Sequence, residues 1–295
     1  LMDGERMKEQ IIKAPAKINL ALDVTGRRED GYHLMRMINF SADLEDTLII
    51  KPGAGLSLTC DTRGVPTDGS NLVIKAARCL QNACGVDRGA SLQLQKKIPM
   101  QAGLAGGSAD GAAALVGLNR FWKLGLSEAE LLRLGAQIGA DIPYCCVNRP
   151  ALVEGIGEKV TPLQKFPSLY ILGVKPSADI STPWAFSQLD RCSDRIHPDI
   201  GAVLKALEDG NDQALAAQAG NAFEQVVFPL YPGVKSIRDQ MLKSGARFAV
   251  MSGSGSTMIG YFDSVAAAEA ARDRFDNGSN VMFVTKCEPK IIEEK

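Results

Sequence analysis

The sequence reads Pro99-Met-Gln-Ala-Gly-Leu-Ala-Gly-Gly-Ser-Ala-Asp110 in its first half, and this stretch organises the rest of the chain. Three glycines, Gly103, Gly106 and Gly107, are followed by Ser108, a good helix N-cap. Glycine lets the backbone adopt positive φ and approach a ligand closely. The N–H groups of a helix N-terminus then favour an anion, typically phosphate. The stretch predicts a phosphate-binding loop; the alternative is a strand-to-helix turn whose glycines only permit tight packing.

The residues after the loop predict the helix itself. Alanines at 112–114 favour helix, and Leu115, Leu118 and Trp122 form one apolar stripe at helical spacing. The loop is not a Walker A motif, because no lysine follows its last glycine, and it lacks the dinucleotide-binding glycine pattern. The pattern therefore indicates an anion site of another type.

Composition narrows the class of protein. A chain of 295 residues predicts about two domains. A hydrophobic share of 45% and a net charge of −1 predict a globular protein without nucleic acid or membrane as a partner. No apolar run reaches the roughly 18 residues of a membrane span, and residues 1–13 lack the apolar core of a signal peptide.

Cysteine and histidine usage adds two expectations. The seven cysteines are odd in number and contain no Cys-x-x-Cys pair, which predicts reduced thiols in a cytoplasm. With only two histidines in the chain, we expect no histidine-based metal site.

Alternating apolar residues predict a mostly antiparallel sheet in the first half, with strands at 17–24, 37–40, 47–50, 56–60 and 90–96. A helix is predicted to start at Asn71. Lys96 and Lys97, at the end of the last strand, are either solvated or placed to meet a phosphate.

Lys17 and Asn19 point the same way from the first predicted strand, on the face opposite Ile18 and Leu20. One interpretation is a lysine positioned to meet phosphate or a carboxylate. The alternative is a solvent-facing polar pair.

An aspartate follows the next predicted helix. The capping box Ser127-Glu-Ala-Glu130 starts that helix, which ends shortly before Asp141. Pro143 is expected to keep Ile142 out of the α region, which would fix Asp141 on a stiff connection. Because a helix C-terminus disfavours an anion, we expect Asp141 to need a cationic partner, and Lys17 is our candidate. The alternative is a plain turn aspartate.

The second half predicts a β…αββαβ order of ferredoxin-like type. Its predicted strands are 168–174, 247–251, 257–262 and 281–287, and its predicted helices are 184–189, 200–228, 233–244 and 264–276. The loop Met251-Ser-Gly-Ser-Gly-Ser-Thr257 joins two strands. It is either a glycine hairpin or part of an anion site shared with the first glycine loop.

Five motifs together resemble the GHMP small-molecule kinases, over essentially the whole chain after residue 12. They are Ala14-Pro-Ala-Lys-Ile-Asn-Leu20, Gly31-Tyr-His33, Pro99–Asp110, Gly139-Ala-Asp-Ile-Pro143 and Met251-Ser-Gly-Ser-Gly255. The resemblance implies an α+β, two-domain fold. A nucleotide-binding kinase domain (residues 1–162) would pack on a ferredoxin-like C-terminal domain (residues 163–295), with the site in the cleft between them.

The resemblance also implies the chemistry. ATP with Mg²⁺ would phosphorylate a small molecule, a cytidine diphosphate-linked methylerythritol, and no protein residue is assigned as a metal ligand. The protein would be a cytoplasmic monomer or weak homodimer.

The resemblance assigns roles to particular residues. Lys17 and Asp141 would be the catalytic pair. The implied nucleotide contacts are Asn71, Lys96, Pro99, Met100, Gln101, Ala102, Gly103, Leu104, Ala105, Gly106, Gly107, Ser108 and Ala109. The implied substrate contacts are Asn19, Tyr32, His33, Asp141, Thr182 and Phe186. Tyr32 and Phe186 would stack on the base while His33 reads its edge; the alternative is that both rings are ordinary core or surface aromatics.

Small departures from the family pattern occur. Ala105 stands where we expect Gly, Ala109 where we expect Ser or Asn, and Gly111 where we expect Ala. Ser256 stands where we expect Pro. Three other interpretations remain: a GHMP kinase for another alcohol such as homoserine or mevalonate, a nucleotide-binding sensor without turnover, and a structural protein. The Tyr32-His33 pair argues against the first, Lys17 with Asp141 against the second, and the two glycine loops against the third.

Overall fold

The computed structural model describes residues 9–287. The expectation about a signal peptide therefore rests partly on residues outside this range, as does the end of the predicted C-terminal domain. The strands are β1 (Gln10–Arg27), β2 (His33–Lys51), β3 (Leu56–Cys60), β4 (Ala90–Gln95), β5 (Ala151–Gly155), β6 (Lys159–Pro162), β7 (Leu169–Lys175), β8 (Phe248–Met251), β9 (Met258–Phe262) and β10 (Val281–Cys287). The helices are α1 (Leu72–Cys84), α2 (Gly106–Phe121), α3 (Glu128–Ile138), α4 (Ile142–Val147), α5 (Thr182–Leu189), α6 (Ile200–Asp209), α7 (Asp212–Gln218), α8 (Glu224–Leu230), α9 (Pro232–Lys243) and α10 (Val265–Arg272).

The chain forms two compact units that alternate along the sequence. The first contains residues 9–16, 45–98 and 105–148; the second contains residues 17–44, 99–104 and 149–287. Both β1 and β2 pass from one unit into the other. The predicted division of the chain between residues 162 and 163 stays a prediction.

In the first unit, β4 lies between β3 and the second part of β2. The β2–β4 pair is antiparallel, as expected, but β3 and β4 are parallel. The reason is α1, which connects these two strands, since a parallel pair needs a crossover connection. Helix α2 packs on α1 and α4, and α3 packs on α4.

In the second unit, β5 pairs with the first part of β2 and with β6, both antiparallel. A separate sheet has the order β10-β7-β9-β8, with every neighbouring pair antiparallel. This order confirms the ferredoxin-like arrangement predicted for the second half.

The long helix predicted at 200–228 is wrong, because the segment forms α6, α7 and α8. Gly210 ends α6 in the left-handed conformation, and the Asn211 side chain then accepts from the Ala214 N–H to start α7. A glycine C-cap followed by an asparagine N-cap breaks a helix locally, whatever the apolar pattern around it.

Two local expectations are also wrong, one about the N-cap of α2 and one about the backbone of Ile142. Ser108 is not the N-cap of α2, which begins at Gly106 after Ala105 and has no side-chain cap. Ile142 is not held out of the α region, because it is the first residue of α4 and Pro143 lies in the first turn. Proline is tolerated there, since its missing N–H would have no partner within the helix. The capping box of Ser127 with Glu130 is confirmed at the start of α3.

We expect Gly103→Ala to destabilise the fold more than Gly210→Ala. Both glycines have positive φ, +70° and +64°, so alanine at either site carries a conformational cost of about 1 kcal/mol. Only at Gly103 would the new Cβ fall on the backbone oxygen of Ser252; Gly210 has open space around it. Urea unfolding of the two variants measures the difference. Equal losses of unfolding free energy would contradict the contact.

Candidate active site

The glycine loop, residues 99–109, has left-handed residues at alternate positions. Gln101, Gly103 and Ala105 have φ of 51°, 70° and 53°. Glutamine and alanine adopt this conformation at a cost of roughly 1–2 kcal/mol each. Such turns point successive backbone N–H groups into one concavity, which is an arrangement typical of anion sites. The first turn of α2 adds further N–H groups, because no side chain caps it.

Packing explains some of the loop glycines but not all. A Cβ on Gly106 would lie 3.0 Å from the Ile98 Cγ2 atom, so Gly106 fits the tight-packing alternative, as Gly103 does. A Cβ on Gly107 would have its nearest neighbour at 3.8 Å, an ordinary contact with Leu72. Gly107 therefore has no packing reason to be glycine, and its predicted contact with a ligand stays a prediction.

Lys96, Asp46 and Asp110 form a buried ion cluster. The Lys96 ammonium lies 2.6 Å from the Asp110 Oδ2 atom and also binds the Asp46 Oδ2 atom. Asp46 accepts hydrogen bonds from the backbone N–H groups of Lys97 and Ile98 as well. Lys96 is thus neither solvated nor an unpaired cation awaiting phosphate, so its predicted contact with nucleotide would have to coexist with two carboxylate partners.

The ion cluster shifts the pKa values of its members. Burial raises the pKa of Asp110 to about 7, and the negative charge of Asp46 adds to this, although Lys96 opposes it. Burial lowers the pKa of Lys96, but the two carboxylates outweigh it and raise that pKa above its usual value. The Asp110 Oδ1 atom is buried without a hydrogen-bond partner, which agrees with a poorly solvated carboxylate.

Lys17 and Asn19 are buried, 4% and 0% exposed, so the solvent-facing alternative is wrong. Their shared face is confirmed by a 3.2 Å hydrogen bond from the Lys17 Nζ atom to the Asn19 Oδ1 atom. Asn19 also accepts from the Gly253 N–H at 2.9 Å and donates to Asn39 at 2.6 Å. Asn19 therefore positions Lys17 as part of the core, and its contact with substrate stays a prediction.

The two glycine loops meet. The Ser252 hydroxyl donates to the Gly103 carbonyl at 2.9 Å, and the Lys17 N–H donates to the Leu104 carbonyl at 3.0 Å. The second loop, residues 251–257, is thus more than an isolated hairpin. A shared anion site stays a prediction.

Asp141 lies between the end of α3 and the start of α4, as the residue that precedes Ile142. Its backbone is helical and its side chain does not cap α4. Asp141 therefore has two helix ends beside it, the negative end of α3 and the positive end of α4. Lys17 belongs to the other compact unit, so the Lys17–Asp141 pair stays a prediction.

The predicted substrate residues of the second unit form a partial cluster. The His33 and Phe186 rings stack with centroids 4.2 Å apart, whereas Tyr32 is 58% exposed. Phe186 is therefore already stacked on one face. The Thr182 hydroxyl lies 2.9 Å from that of Ser254, on the second glycine loop.

Sequence reasoning missed Asp190, whose carboxylate binds the His33 Nε2 atom at 2.9 Å. No local signal marks it, since it is a helix-end aspartate 157 residues further along the chain.

The remaining predicted nucleotide residues serve the local fold. The Asn71 side chain caps α1 by accepting from the Val73 N–H. Met100 is exposed, whereas Ala102, Leu104 and Ala109 are buried. Their contacts with nucleotide stay predictions.

Three further features concern membrane spans, cysteines and metal ligands. No helix among the described residues is long and apolar enough to cross a membrane. All seven cysteines are free. Within residues 9–287, no group of three or more His, Cys, Asp or Glu side chains could hold a metal ion.

Comparison with known proteins defines the class. Residues 71–149 match the GHMP kinases N terminal domain, and residues 188–280 match the GHMP kinases C terminal domain. The chain belongs to the GHMP kinases, and it is an enzyme that acts on a small molecule.

Particular relatives narrow the class further. The chain is 43% identical to the 4-diphosphocytidyl-2-C-methyl-D-erythritol kinase of Lachnospira eligens, over 85% of this chain and 88% of the relative. It is 39% identical to the enzyme of that name from Acetivibrio thermocellus, over 95% of this chain and 99% of the relative. A crystal structure of 4-(cytidine 5'-diphospho)-2C-methyl-D-erythritol kinase is 30% identical, with a TM-score of 0.79 over 95% of this chain and 98% of the other. Homoserine kinase from Cytophaga hutchinsonii, at 20% identity and a TM-score of 0.78, shares the fold.

We expect Asp110→Asn to remove part of the pH dependence of stability. Asp110 has a pKa of about 7 in the folded protein against an ordinary 3.8, so the folded state holds its proton more tightly. Its stabilising contribution is full below about pH 4 and is lost as the pH rises to about 7, by at most about 1.4 kcal/mol per pH unit. Urea unfolding across this window should show the wild type losing stability relative to Asp110→Asn. Parallel curves would contradict this assignment.

Proposed function

We propose that the chain catalyses the ATP-dependent phosphorylation of the 2-hydroxyl of 4-diphosphocytidyl-2-C-methyl-D-erythritol, giving the 2-phosphate and ADP in the non-mevalonate route to isoprenoid precursors. The observation that carries the proposal is the set of relatives of that name, 38–43% identical over at least 85% of this chain. The geometry of the glycine loop and of the buried Lys17 supports it. The free cysteines support a reducing, cytoplasmic setting, and a monomer or weak homodimer stays our expectation.

The glycine loop would bind the ATP phosphates through backbone N–H groups. Phosphoryl transfer depends mainly on positioning and charge stabilisation, so a rigid set of donors suits it. Left-handed residues at 101, 103 and 105 and the uncapped first turn of α2 supply such donors. The Ser108 hydroxyl, in the same turn, would add another.

Mg²⁺ would enter with the nucleotide. Magnesium in kinases is bound largely by substrate phosphates and water, with few protein ligands. When bound, Mg²⁺ neutralises phosphate charge; no side chain of this chain is assigned to it.

Asp141 would act as the general base. It would accept the proton of the attacking 2-hydroxyl from its position directly before the first residue of α4. Lys17, held by Asn19, would orient Asp141 and stabilise the hydroxyl oxygen as its charge develops.

The cytidylyl group would bind near His33. Phe186 supports the imidazole from one side, and the exposed Tyr32 ring is available to stack on the base. Base–aromatic stacking is worth about 1–3 kcal/mol and tolerates any base. The choice of cytosine would therefore depend on hydrogen bonding between the base edge and His33.

A coupled ADP-release assay tests the function. We expect turnover with 4-diphosphocytidyl-2-C-methyl-D-erythritol and none with homoserine or mevalonate. Asp141→Asn should lose a factor of about 10²–10⁴ in kcat while ATP affinity changes little, because its carboxylate acts only on the acceptor hydroxyl.

Two outcomes would overturn these assignments. If the protein phosphorylated homoserine or mevalonate in preference, the assigned substrate would be wrong. A near-normal kcat in Asp141→Asn would remove that residue as the base.

We expect Gly107→Val to weaken ATP binding at least about tenfold, or about 1.4 kcal/mol, without unfolding the protein. A Cβ at this position would make only an ordinary contact, at 3.8 Å from the Leu72 Cδ1 atom, but the valine side chain would occupy the space through which phosphate approaches the backbone. Gly233→Val is the matched control, because Gly233 is likewise the second residue of a helix, α9, with open space around it. Calorimetric titration with ATP measures both. Normal ATP affinity in a folded Gly107→Val protein would contradict the phosphate loop.

A further inference from the structure

The imidazole of His33 is held on one edge and one face. Its Nε2 atom lies 2.9 Å and 3.1 Å from the two carboxylate oxygens of Asp190. The Phe186 ring stacks on it at an interplanar angle of 17°, and the His33 side chain is only 12% exposed. Since the plane and the Nε2 edge are both fixed, the direction of the opposite Nδ1 atom is fixed as well.

The Asp190 carboxylate has further partners besides His33. Arg27 and Arg195 donate to its carboxylate at 3.3 Å and 3.2 Å, in addition to His33. Partial burial raises the pKa of Asp190, but the His33 hydrogen bond and the charges of His33, Arg27 and Arg195 outweigh it and hold that pKa below its usual value. The carboxylate is thus ionised near neutral pH and can only accept hydrogen bonds.

The ionised carboxylate decides where the imidazole carries its proton. Because Asp190 only accepts, Nε2 of His33 must be the protonated nitrogen in their hydrogen bond. In a neutral imidazole, one nitrogen donates and the other accepts, so Nδ1 is then an acceptor. Without Asp190, the proton could occupy either nitrogen.

We propose that Asp190 is a positioning residue that makes His33 select cytosine over uracil. The inference rests on the proposed function, which brings a cytidylyl group to His33. The edge of cytosine carries an amino donor where uracil carries a carbonyl acceptor. An Nδ1 acceptor pairs with the amino group, whereas it would leave the uracil carbonyl and itself unpaired. A site built on such a hydrogen bond rejects the wrong ligand because its polar groups lose their partners.

Binding of CDP and UDP tests the proposal at about pH 8, where an ordinary imidazole is neutral. We expect the wild type to bind CDP more tightly. In Asp190→Asn, the ratio of the UDP to the CDP dissociation constant should fall about tenfold, since the asparagine amide can donate to or accept from Nε2 and no longer fixes the tautomer. Asp194→Asn, which removes an equal charge at an exposed site nearby, should keep the wild-type ratio, and Asp190→Glu should restore part of it.

The outcomes separate this inference from the proposed function. If the wild type binds CDP and UDP equally, or neither, the cytidylyl substrate is wrong and the inference falls with it. If the wild type prefers CDP and a folded Asp190→Asn protein keeps the same ratio, only the role of Asp190 is overturned. ATP affinity, measured alongside, should stay unchanged in all variants and reports that the fold is intact.

Nitrogen NMR of the histidine rings gives a second readout that needs no ligand. The chain has two histidines, and His197→Gln assigns the signals of His33. We expect the Nε2-protonated form in the wild type and a mixture of both forms in Asp190→Asn. A wild-type His33 protonated on Nδ1 alone would overturn the proposal, whatever the binding data.

Discussion

The ion cluster of Lys96 with Asp46 and Asp110 is the interaction on which the glycine loop most depends. Asp46 binds the backbone just before the loop, at residues 97 and 98, and Asp110 lies in the first turns of the helix that follows it. Each of the three side chains is almost completely buried. A buried charge that loses its partner costs several kcal/mol, so each member requires the others. The ion cluster therefore holds in place the residues on both sides of the loop, residues 97 and 98 before it and Asp110 after it.

This anchoring explains how the loop tolerates unfavourable backbone conformations. Gln101 and Ala105 are left-handed without being glycine, and α2 starts without a side-chain cap. Each feature costs free energy that the surrounding fold must offset, and such features concentrate at functional sites. The proposed anion site would use the backbone N–H groups that these conformations present.

The same logic extends to the polar side chains of the second unit. Asn19 holds Lys17 in the core, and Asp190 holds His33 against Phe186. In both cases a group assigned to chemistry or recognition is oriented by a second polar residue. Burying a polar group is costly unless it is hydrogen-bonded, so the partner that allows burial also sets the orientation of the group. Preorganisation of this kind lets a kinase distinguish hydroxyl acceptors and bases by directed bonds rather than by shape alone.

The sequence by itself determined the family, the ferredoxin-like order, the Ser127–Glu130 capping box and the common face of Lys17 and Asn19. The capping box and the common face depend on residues a few positions apart. The family and the ferredoxin-like order follow from motifs and apolar patterns in their order along the chain. Only the tertiary structure decided that Lys96 is paired, since Asp46 lies 50 residues before it, and that Asp190 binds His33 across 157 residues. It also decided that α2 starts at Gly106, because that start depends on the backbone path of the loop and not on the strongest capping residue nearby. Side-chain chemistry predicts what a group can bind, but burial and long-range contacts select its partner.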